Sequence, residues 1–297
     1  MNVARIAESV LHPAHTATRL RARADASRLA ERHSRLARRR GIDRPYLILS
    51  FDCDLHEDAE VVWDVHTRLM ERGVVAVYAV PGAMLESGRE VYARIAATGA
   101  EFMNHGQVEH TYWDADHGRY ASCFFYDEVG RDAVRADIEA ADRTLRDVLG
   151  VEPAGFRAPH FGTFQRPSDL RFTHSVLRGL GYRYASSTMP FWGLRHGPVF
   201  DRFGLPELPV SVRPSAPLEI LDSWSCFAAP DRVRTAEDFR TDARALARQV
   251  GEHDAGVINV YADPSHIHDQ PAFFDAVAAW AEVAEPTSYR SLLDRLG

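Results

Sequence analysis

The sequence contains no lysine, so all 35 of its basic residues are arginine. This absence excludes a lysine nucleophile, a Schiff-base lysine and the lysine of a phosphate-binding loop. Only three cysteines are present, Cys53, Cys123 and Cys226, and they lie far apart. A sparse, odd set without a Cys-x-x-Cys pair is typical of a reducing compartment and argues against a disulfide framework.

Long hydrophobic runs are also missing. No stretch of about 18 apolar residues occurs, so the sequence predicts no membrane-spanning helix. Polar residues interrupt the N-terminal region, which therefore lacks the apolar centre of a signal peptide. These absences predict a cytoplasmic location. The length of 297 residues suits one α/β barrel or two small domains.

Residues 1–44 form a basic segment with eleven arginines and four acidic residues, although the net charge of the whole chain is −7. Apolar residues recur at helical spacing, which predicts a helical N-terminal extension. Three interpretations stay open: the extension packs on the acidic remainder, contacts a membrane surface or another anionic partner weakly, or is disordered. Few aromatic residues lie among the arginines, so we expect no nucleic-acid partner.

From Pro45 onward, short apolar strands alternate with helices, without an internal repeat. This order predicts one catalytic domain over residues 45–297 with a parallel sheet, open or closed into a barrel. The segment 105–126 has no clear period and is predicted to be a functional loop. Predicted strands cover residues 46–51, 74–80, 100–103, 155–157, 182–186, 218–221 and 256–261; predicted helices cover residues 59–72, 88–97, 127–149, 170–180, 235–250 and 272–283.

Two carboxylates, Asp52 and Asp54, follow the first buried strand. The ends of parallel strands share one face of a barrel, where active sites lie. A metal on one carboxylate and proton transfer by the other would explain both residues. The alternative is that one of them caps the next helix.

Two histidines, His105 and His110, follow the third strand. Both can reach one cation as neutral imidazoles, and with Asp54 they would leave positions open for water and substrate. Gly106 allows the tight turn that such a loop needs. Glu109 is a rival ligand.

Two further polar clusters follow later strands. Arg157, which precedes Pro159 and His160, can pair with Asp52 and hold that carboxylate ionised, unless it is a surface residue of the loop. The last strand is followed by three candidates for a general acid, Asp263, His266 and His268. Equally, residues 266–269 can serve only to cap the next helix. A hydrophobic wall beside the site is expected from Trp192 and Trp224, although tryptophan is more often a core residue.

Taken in order, these motifs resemble the polysaccharide deacetylase family, also called the NodB-homology family. The resemblance covers about residues 46–296. It implies a distorted seven-stranded (β/α) barrel and metal-dependent amide or ester hydrolysis, commonly with zinc. It further implies that Asp52 is the base, that the metal ligands are Asp54, His105 and His110, and that the segment 156–160 contacts the base and shapes a substrate groove with Pro159 and His160. Trp224 resembles the apolar wall of a fourth motif.

Three positions depart from the pattern of the family. His105 and His110 are one residue further apart than usual, which implies a bulge or a different ligand. Ala185 stands where the family often has an aspartate, so Arg157 is expected to lack one partner. Asp263 precedes Pro264 where a histidine is usual, so the general acid is Asp263, His266 or His268, or is lost.

The sequence therefore predicts a hydrolase that removes an acyl group, with acetyl expected, from an amino sugar or a related small molecule. A divalent metal, with zinc expected, would bind the water that Asp52 deprotonates. Without an export signal, the expected substrate is a cytoplasmic precursor. Two alternatives remain: a hydrolase of the same fold acting on a non-sugar or cyclic amide, and an inactive relative used for binding. The oligomeric state is not predicted.

Overall fold

The computed structural model describes residues 26–229 and 234–297, together with residues 17 and 20. The helix predicted near residues 3–10 lies outside this part. The strands are β1 (Pro45–Asp52), β2 (Ala76–Val80), β3 (Glu101–Asn104), β4 (Thr111–Asp114), β5 (Arg119–Ser122), β6 (Gly155–Phe156), β7 (Tyr184–Ala185), β8 (Val212–Arg213), β9 (Ala216–Ile220), β10 (Gly256–Ala262) and β11 (Glu285–Pro286). The helices are α1 (Ala26–Arg39), α2 (His56–Met70), α3 (Gly82–Ser87), α4 (Arg89–Ala96), α5 (Arg131–Leu149), α6 (Pro167–Gly179), α7 (Pro190–His196), α8 (Ala236–His253), α9 (Pro264–Ile267), α10 (Pro271–Val283) and α11 (Tyr289–Leu296); a π-turn spans Trp224–Ala228.

Seven strands form one parallel sheet, as the βα alternation predicts. Their order is β10-β1-β2-β3-β6-β7, and β11 pairs with the start of β1. All residues of β1 after Pro45 are buried because helices cover one face of the sheet and the barrel interior lies on the other. The continuous apolar run in the sequence follows from this burial on both faces.

An irregular segment, residues 206–211, connects the two edges of the sheet. The Leu208 amide donates to the Ala185 carbonyl of β7 over 2.9 Å, and the Ser211 amide donates to the Asn259 carbonyl of β10 over 2.7 Å. The segment thereby satisfies backbone groups at both edge strands. The sheet is therefore curled into a distorted barrel, which confirms the predicted fold class.

Local signals account for the ends of several helices. α8 begins with a capping box in which the Asp238 amide donates to Thr235 Oγ1 and the Thr235 amide donates to Asp238 Oδ2. α5 ends at Gly150, whose φ of 65° favours glycine. The ends of these helices therefore agree with the predicted ends to within a few residues.

The short helices α3, α7 and α9 and the short strand β8 were not predicted. Two further differences concern strands. Part of the unpatterned segment 105–126 is an antiparallel hairpin, β4–β5, which is only half buried. The strand predicted at residues 218–221 lies outside the barrel, since β9 pairs only with β8 in a separate two-stranded sheet. In both places the strands have few buried side chains, so the hydrophobic pattern is weak.

The basic helix α1 packs on the barrel beside α7 and α8. Arg32 donates to the carbonyls of Leu194 and Arg195 over 3.2 and 3.0 Å, and Arg40 pairs with Asp201 at 2.7 Å. Residues 26–39 therefore pack on the body of the protein. Within the described ranges, no helix is both long and apolar enough to cross a membrane.

Candidate active site

A cavity of about 430 Å³ opens at the carboxyl ends of the barrel strands. Its wall brings together the ends of β1, β3, β6 and β10 with the hairpin β4–β5 and the π-turn. The polar residues that line it include Asp52, Asp54, His105, His160, Asp263 and His266. Six residues that the sequence analysis assigned to different clusters therefore share one cavity.

Asp54, His105 and His110 form a compact set of possible metal ligands. Their ligand atoms all lie within 4.8 Å of one another. Asp54 Oδ1 is 3.2 Å from His105 Nε2 and 4.0 Å from His110 Nε2. All three of these atoms are buried without a hydrogen-bond partner among the described residues, which is costly for a buried polar group. A divalent cation would satisfy them together, so the donor set fits a metal.

The orientation of His105 also fits a ligand. Its Nδ1 lies 2.8 Å from the Arg157 carbonyl, so Nδ1 carries the proton and donates it. This second contact leaves the lone pair of Nε2 directed at Asp54. Burial lowers the pKa of His105, but the Asp54 carboxylate outweighs it and raises that pKa to about 9. A cation at Nε2 would replace the proton that Asp54 otherwise favours there.

His110 is buried and neutral. Burial, helped by the neighbouring His105 and His160 rings, lowers its pKa to about 3 despite the nearby Asp54. A neutral imidazole is the form that binds metals. Although burial raises the pKa of Asp54, the nearby His105 and His110 outweigh it, so that pKa falls below its usual range.

The loop between the two histidines accommodates its additional residue through a tight turn. Gly106 has a φ of 79°, and Asp137 Oδ1 accepts the amides of Gln107 and Val108 over 3.0 and 2.9 Å. The rival ligand, Glu109, is exposed and does not belong to the compact set. The additional residue between His105 and His110 therefore fits into the turn, and both histidines remain candidate ligands.

Asp52 lies beside the set and is held by Arg157. Arg157 is fully buried, and its Nη1 donates to Asp52 Oδ1 over 2.8 Å. Asp52 Oδ2 is free of this contact and lies 3.9 Å from His105 Nε2. Burial raises the pKa of Asp52 to about 6, against the lowering effect of Arg157 and His105. One carboxylate oxygen is therefore oriented, and the other faces the site.

Hydroxyl groups take the place of a second carboxylate around Arg157. Its Nη2 donates to Tyr289 Oη over 2.8 Å and to Ser50 Oγ over 2.9 Å, with Ser186 Oγ at 3.3 Å. Ala185, as expected, contributes no acidic side chain. Asp52 is therefore the only described carboxylate within ion-pair distance of Arg157.

We expect Tyr289→Phe to lower kcat about tenfold without changing the metal content. The hydroxyl accepts from a charged group, and such a hydrogen bond contributes about 1.5–3 kcal/mol. Tyr46→Phe serves as the control and should leave kcat unchanged. Tyr46 lies at the start of β1, whereas Asp52 lies at its end. An unchanged kcat in Tyr289→Phe would show that Asp52 keeps its orientation without this contact.

Asp263 and His266 form a hydrogen-bonded pair at the cavity wall. His266 Nδ1 lies 3.0 Å from Asp263 Oδ2, which also accepts from Ser223 Oγ over 2.7 Å. Burial lowers the pKa of His266, but Asp263 outweighs it, so the net pKa is raised. Because Nδ1 of His266 contacts Asp263, Nε2 is the ring nitrogen that can contact a ligand in the cavity.

Three residues that the sequence assigns to the site do not line the cavity. His268 is one of them, and its ring lies 3.4 Å from the Ser265 carbonyl. Trp192 is buried in a cluster with Phe191 and Phe203, away from the cavity. Pro159 is buried and does not line the cavity.

His160 and Trp224 do line the cavity. His160 Nε2 lies 2.7 Å from the Cys123 carbonyl, and the backbone of His160 has a φ of 54°, a strained value for a side-chain-bearing residue. Trp224 is 42% exposed and packs against His266. Helix capping is performed by Asp58, which accepts the Leu55 amide over 2.9 Å, so neither Asp52 nor Asp54 is needed for it.

Sequence reasoning missed the hydroxyl partners of Arg157 and the hairpin beside the cavity. Tyr289 is 132 residues from Arg157 in sequence, and its only signal is its place at the start of the last helix. Phe161 and Tyr261 also line the cavity, with their rings 4.9 Å apart. Phe161 directly follows the segment 156–160 that resembles the family, but no spacing pairs it with Tyr261.

Comparisons with known proteins agree with this architecture. The sequence profile of the family described as polysaccharide deacetylase matches residues 40–185. Among proteins of curated function, none matches the sequence significantly. A solved structure from Mycobacterium smegmatis, described as a polysaccharide deacetylase, is 20% identical with a TM-score of 0.61, over 86% of this chain and 90% of that one.

Two further solved structures share the fold at lower identity. Puue allantoinase is 13% identical with a TM-score of 0.57, over 86% of this chain and 89% of that one. A pseudoenzyme of the CE4 family from Bacillus anthracis is 12% identical with a TM-score of 0.53, over 85% of this chain and 66% of that one. The ordered motifs, the curled parallel sheet and the profile match lead to one conclusion: residues 40–185 match the polysaccharide deacetylase family, hydrolases that act on carbon–nitrogen bonds, and the chain shares its fold with solved structures that carry this description.

Proposed function

We propose that this protein removes an acetyl group from the nitrogen of an amino sugar or a related small molecule in a metal-dependent hydrolysis. The observation that carries the proposal is the convergence of Asp54, His105 and His110 at one point of the wall of a cavity, with Asp52 beside them. Two imidazoles and a carboxylate are a donor set typical of catalytic zinc. When bound, the cation supplies Lewis acidity, which activates water and polarises the acyl oxygen.

Asp52 is the proposed general base. Arg157 holds Oδ1, so Oδ2 is the oxygen that takes a proton from the attacking water. A pKa near 6 lets the carboxylate be ionised at neutral pH and still accept a proton during the reaction. Arg157 acts through Asp52 by orienting it, and Tyr289 and Ser50 orient Arg157 in turn.

His266 is the proposed general acid. An amine leaves poorly as an anion, so the departing nitrogen needs a proton. Asp263 engages Nδ1 of His266 and stabilises the imidazolium, which keeps Nε2 protonated and available to the cavity. This pair occupies the place where the family usually has a histidine before proline, so the acid group is shifted by three residues along the chain.

We expect His266→Ala to lower kcat by about 10²-fold, the lower range of general acid catalysis, with unchanged metal content. His268→Ala is the matched control and should behave as the unmodified protein. Asp263→Asn removes the carboxylate that raises the pKa of His266, so the alkaline limb of the kcat profile should move to lower pH. Equal kcat values in His266→Ala and His268→Ala would remove His266 from the mechanism.

The second candidate function is hydrolysis of a non-sugar or cyclic amide, which the fold similarity to Puue allantoinase favours. An assay of the zinc-loaded protein separates the candidates: release of acetate from N-acetylated sugars supports deacetylation, and turnover of cyclic ureides alone supports the second candidate. An inactive binding relative, as the CE4 pseudoenzyme is described, would turn over neither class. The presence of the proposed base, Asp52, and of the proposed metal ligands Asp54, His105 and His110 favours an active enzyme.

A further inference from the structure

Asn259 is a buried polar residue in the middle of β10, a strand at one edge of the sheet. It is 1% exposed, and its neighbours Ile258 and Val260 pack in the core between the sheet and helices such as α8 and α10. Because side chains alternate along a strand, Asn259 points to the opposite face, into the barrel, as does Tyr261, which lines the cavity. An amide buried at this place needs a partner for each of its polar groups.

The amide nitrogen of Asn259 holds the segment 206–211, which connects the two edges of the sheet. Nδ2 donates to the carbonyls of Leu208 and Pro209, each over 3.0 Å. The backbone of Asn259 is tied to the same segment, because its carbonyl accepts the Ser211 amide over 2.7 Å and its own amide donates to Ser211 Oγ over 2.9 Å. Asn259 therefore fixes this irregular segment to β10 through both its side chain and its backbone.

The same side chain sets the direction of the hydrogen bonds beside Arg157. The two carbonyls can only accept, so Nδ2 must face them, and Oδ1 of Asn259 faces the Tyr289 hydroxyl, 2.7 Å away. Oδ1 can also only accept, so the single proton of this hydroxyl is directed at Asn259. The lone pairs of the Tyr289 oxygen are then left for Arg157, whose Nη2 donates to it over 2.8 Å. Donor and acceptor roles are thus fixed from the segment 206–211 to the guanidinium.

We infer that Asn259 is a positioning residue of the active site. It ties Tyr289 to the segment that closes the barrel, and Tyr289 holds the guanidinium that orients Asp52. Ala185 offers Arg157 no second carboxylate, so neutral groups hold Nη2, and Asn259 fixes the orientation of one of them. Asn259 does not line the cavity, so its effect on the reaction passes through Tyr289. The inference rests on the proposed function, because Asp52 is the proposed base.

Asn259→Leu tests the inference, since leucine has a similar size and shape but no polar groups. We expect kcat to fall about tenfold, as in Tyr289→Phe, with unchanged zinc content. The double variant Asn259→Leu/Tyr289→Phe should also lose about tenfold, not about a hundredfold, because both substitutions break the same series of contacts.

Ser211→Ala is the matched control for this experiment. It removes a contact between the same segment and β10 but leaves the contact between Asn259 and Tyr289 in place, so kcat should not change. A loss of about a hundredfold in the double variant would overturn the inference, and so would equal kcat values in Asn259→Leu and Ser211→Ala. If the leucine variant does not fold, Asn259→Ser replaces it, because the serine side chain is too short to reach Tyr289.

Unfolding in urea separates this inference from the proposed function, because it needs no turnover. The double variant should lose less stability than the sum of the two single losses, since each single substitution leaves a buried polar group of the other residue without its partner. The losses of Ser211→Ala and Tyr289→Phe should add. Additive losses for Asn259 and Tyr289 would overturn the inference. Coupled losses in a protein that releases no acetate would count against the proposed function alone.

Discussion

Asp52→Asn is expected to lower kcat by about 10²–10⁴-fold while the zinc content stays at one ion per chain. Asparagine preserves the shape of the side chain but cannot accept a proton, so the loss measures general base catalysis. The ligand set itself, Asp54, His105 and His110, is unchanged. Steady-state kinetics together with metal analysis of the same samples would measure both quantities.

This substitution also leaves the buried Arg157 without its carboxylate. Breaking a buried ion pair typically costs about 3–5 kcal/mol, so thermal unfolding of each sample is required to show that the variant is folded at the assay temperature. Asp116→Asn, in the exposed turn of the hairpin, is the control and should match the unmodified protein. A folded Asp52→Asn variant with full activity would exclude Asp52 as the base.

Asp54→Ala and His110→Ala are each expected to abolish both zinc binding and activity. Each removes one of three protein ligands, and the two that remain do not hold the ion at micromolar zinc. Zinc should raise Tm in the unmodified protein, because the folded state binds the ion and the unfolded state does not. In both variants this rise should disappear, which differential scanning calorimetry can follow.

His117→Ala is the control for the histidine variant. His117 is an exposed histidine whose ring contacts Asp114, remote from the ligand set. It should retain zinc, the rise in Tm and the activity. If His110→Ala kept zinc and activity as His117→Ala does, the third ligand would have to be a different residue.

The parts of the site that follow directly from the sequence are those tied to strand ends. β1 is a continuous apolar run, and the carboxylates that follow it must lie at the carboxyl edge of the sheet. Asp54 follows β1 and His105 follows β3, and only β2 separates these parallel strands, so both residues were expected at the same edge of the sheet. Strand register sets these contacts, and strand register is visible as hydrophobic pattern.

Contacts between distant elements could not be predicted in this way. Tyr289 reaches Arg157 from the last helix, and no periodicity relates two residues 132 positions apart. The hairpin β4–β5 was missed because its half-buried strands show no clear alternation. Trp192 is 7% exposed and Trp224 is 42% exposed, and the tertiary packing of each ring decides this difference.

Direction along a short helix explains why His266 lines the cavity and His268 does not. Successive residues of a helix turn by about 100°, so residues two apart point to nearly opposite sides. α9 begins at Pro264 and directs His266 towards the cavity. His268 follows it by two residues and points away. The sequence placed all three candidates for the acid in one segment but could not fix the start of this helix.

The most direct test of the proposed zinc site is anomalous scattering at the zinc absorption edge from crystals grown with zinc. We predict a single strong peak within bonding distance of Asp54, His105 Nε2 and His110, with Asp52 beside it but not bound to the ion. No peak at this position in excess zinc, or a peak held by other residues, would contradict the proposed centre.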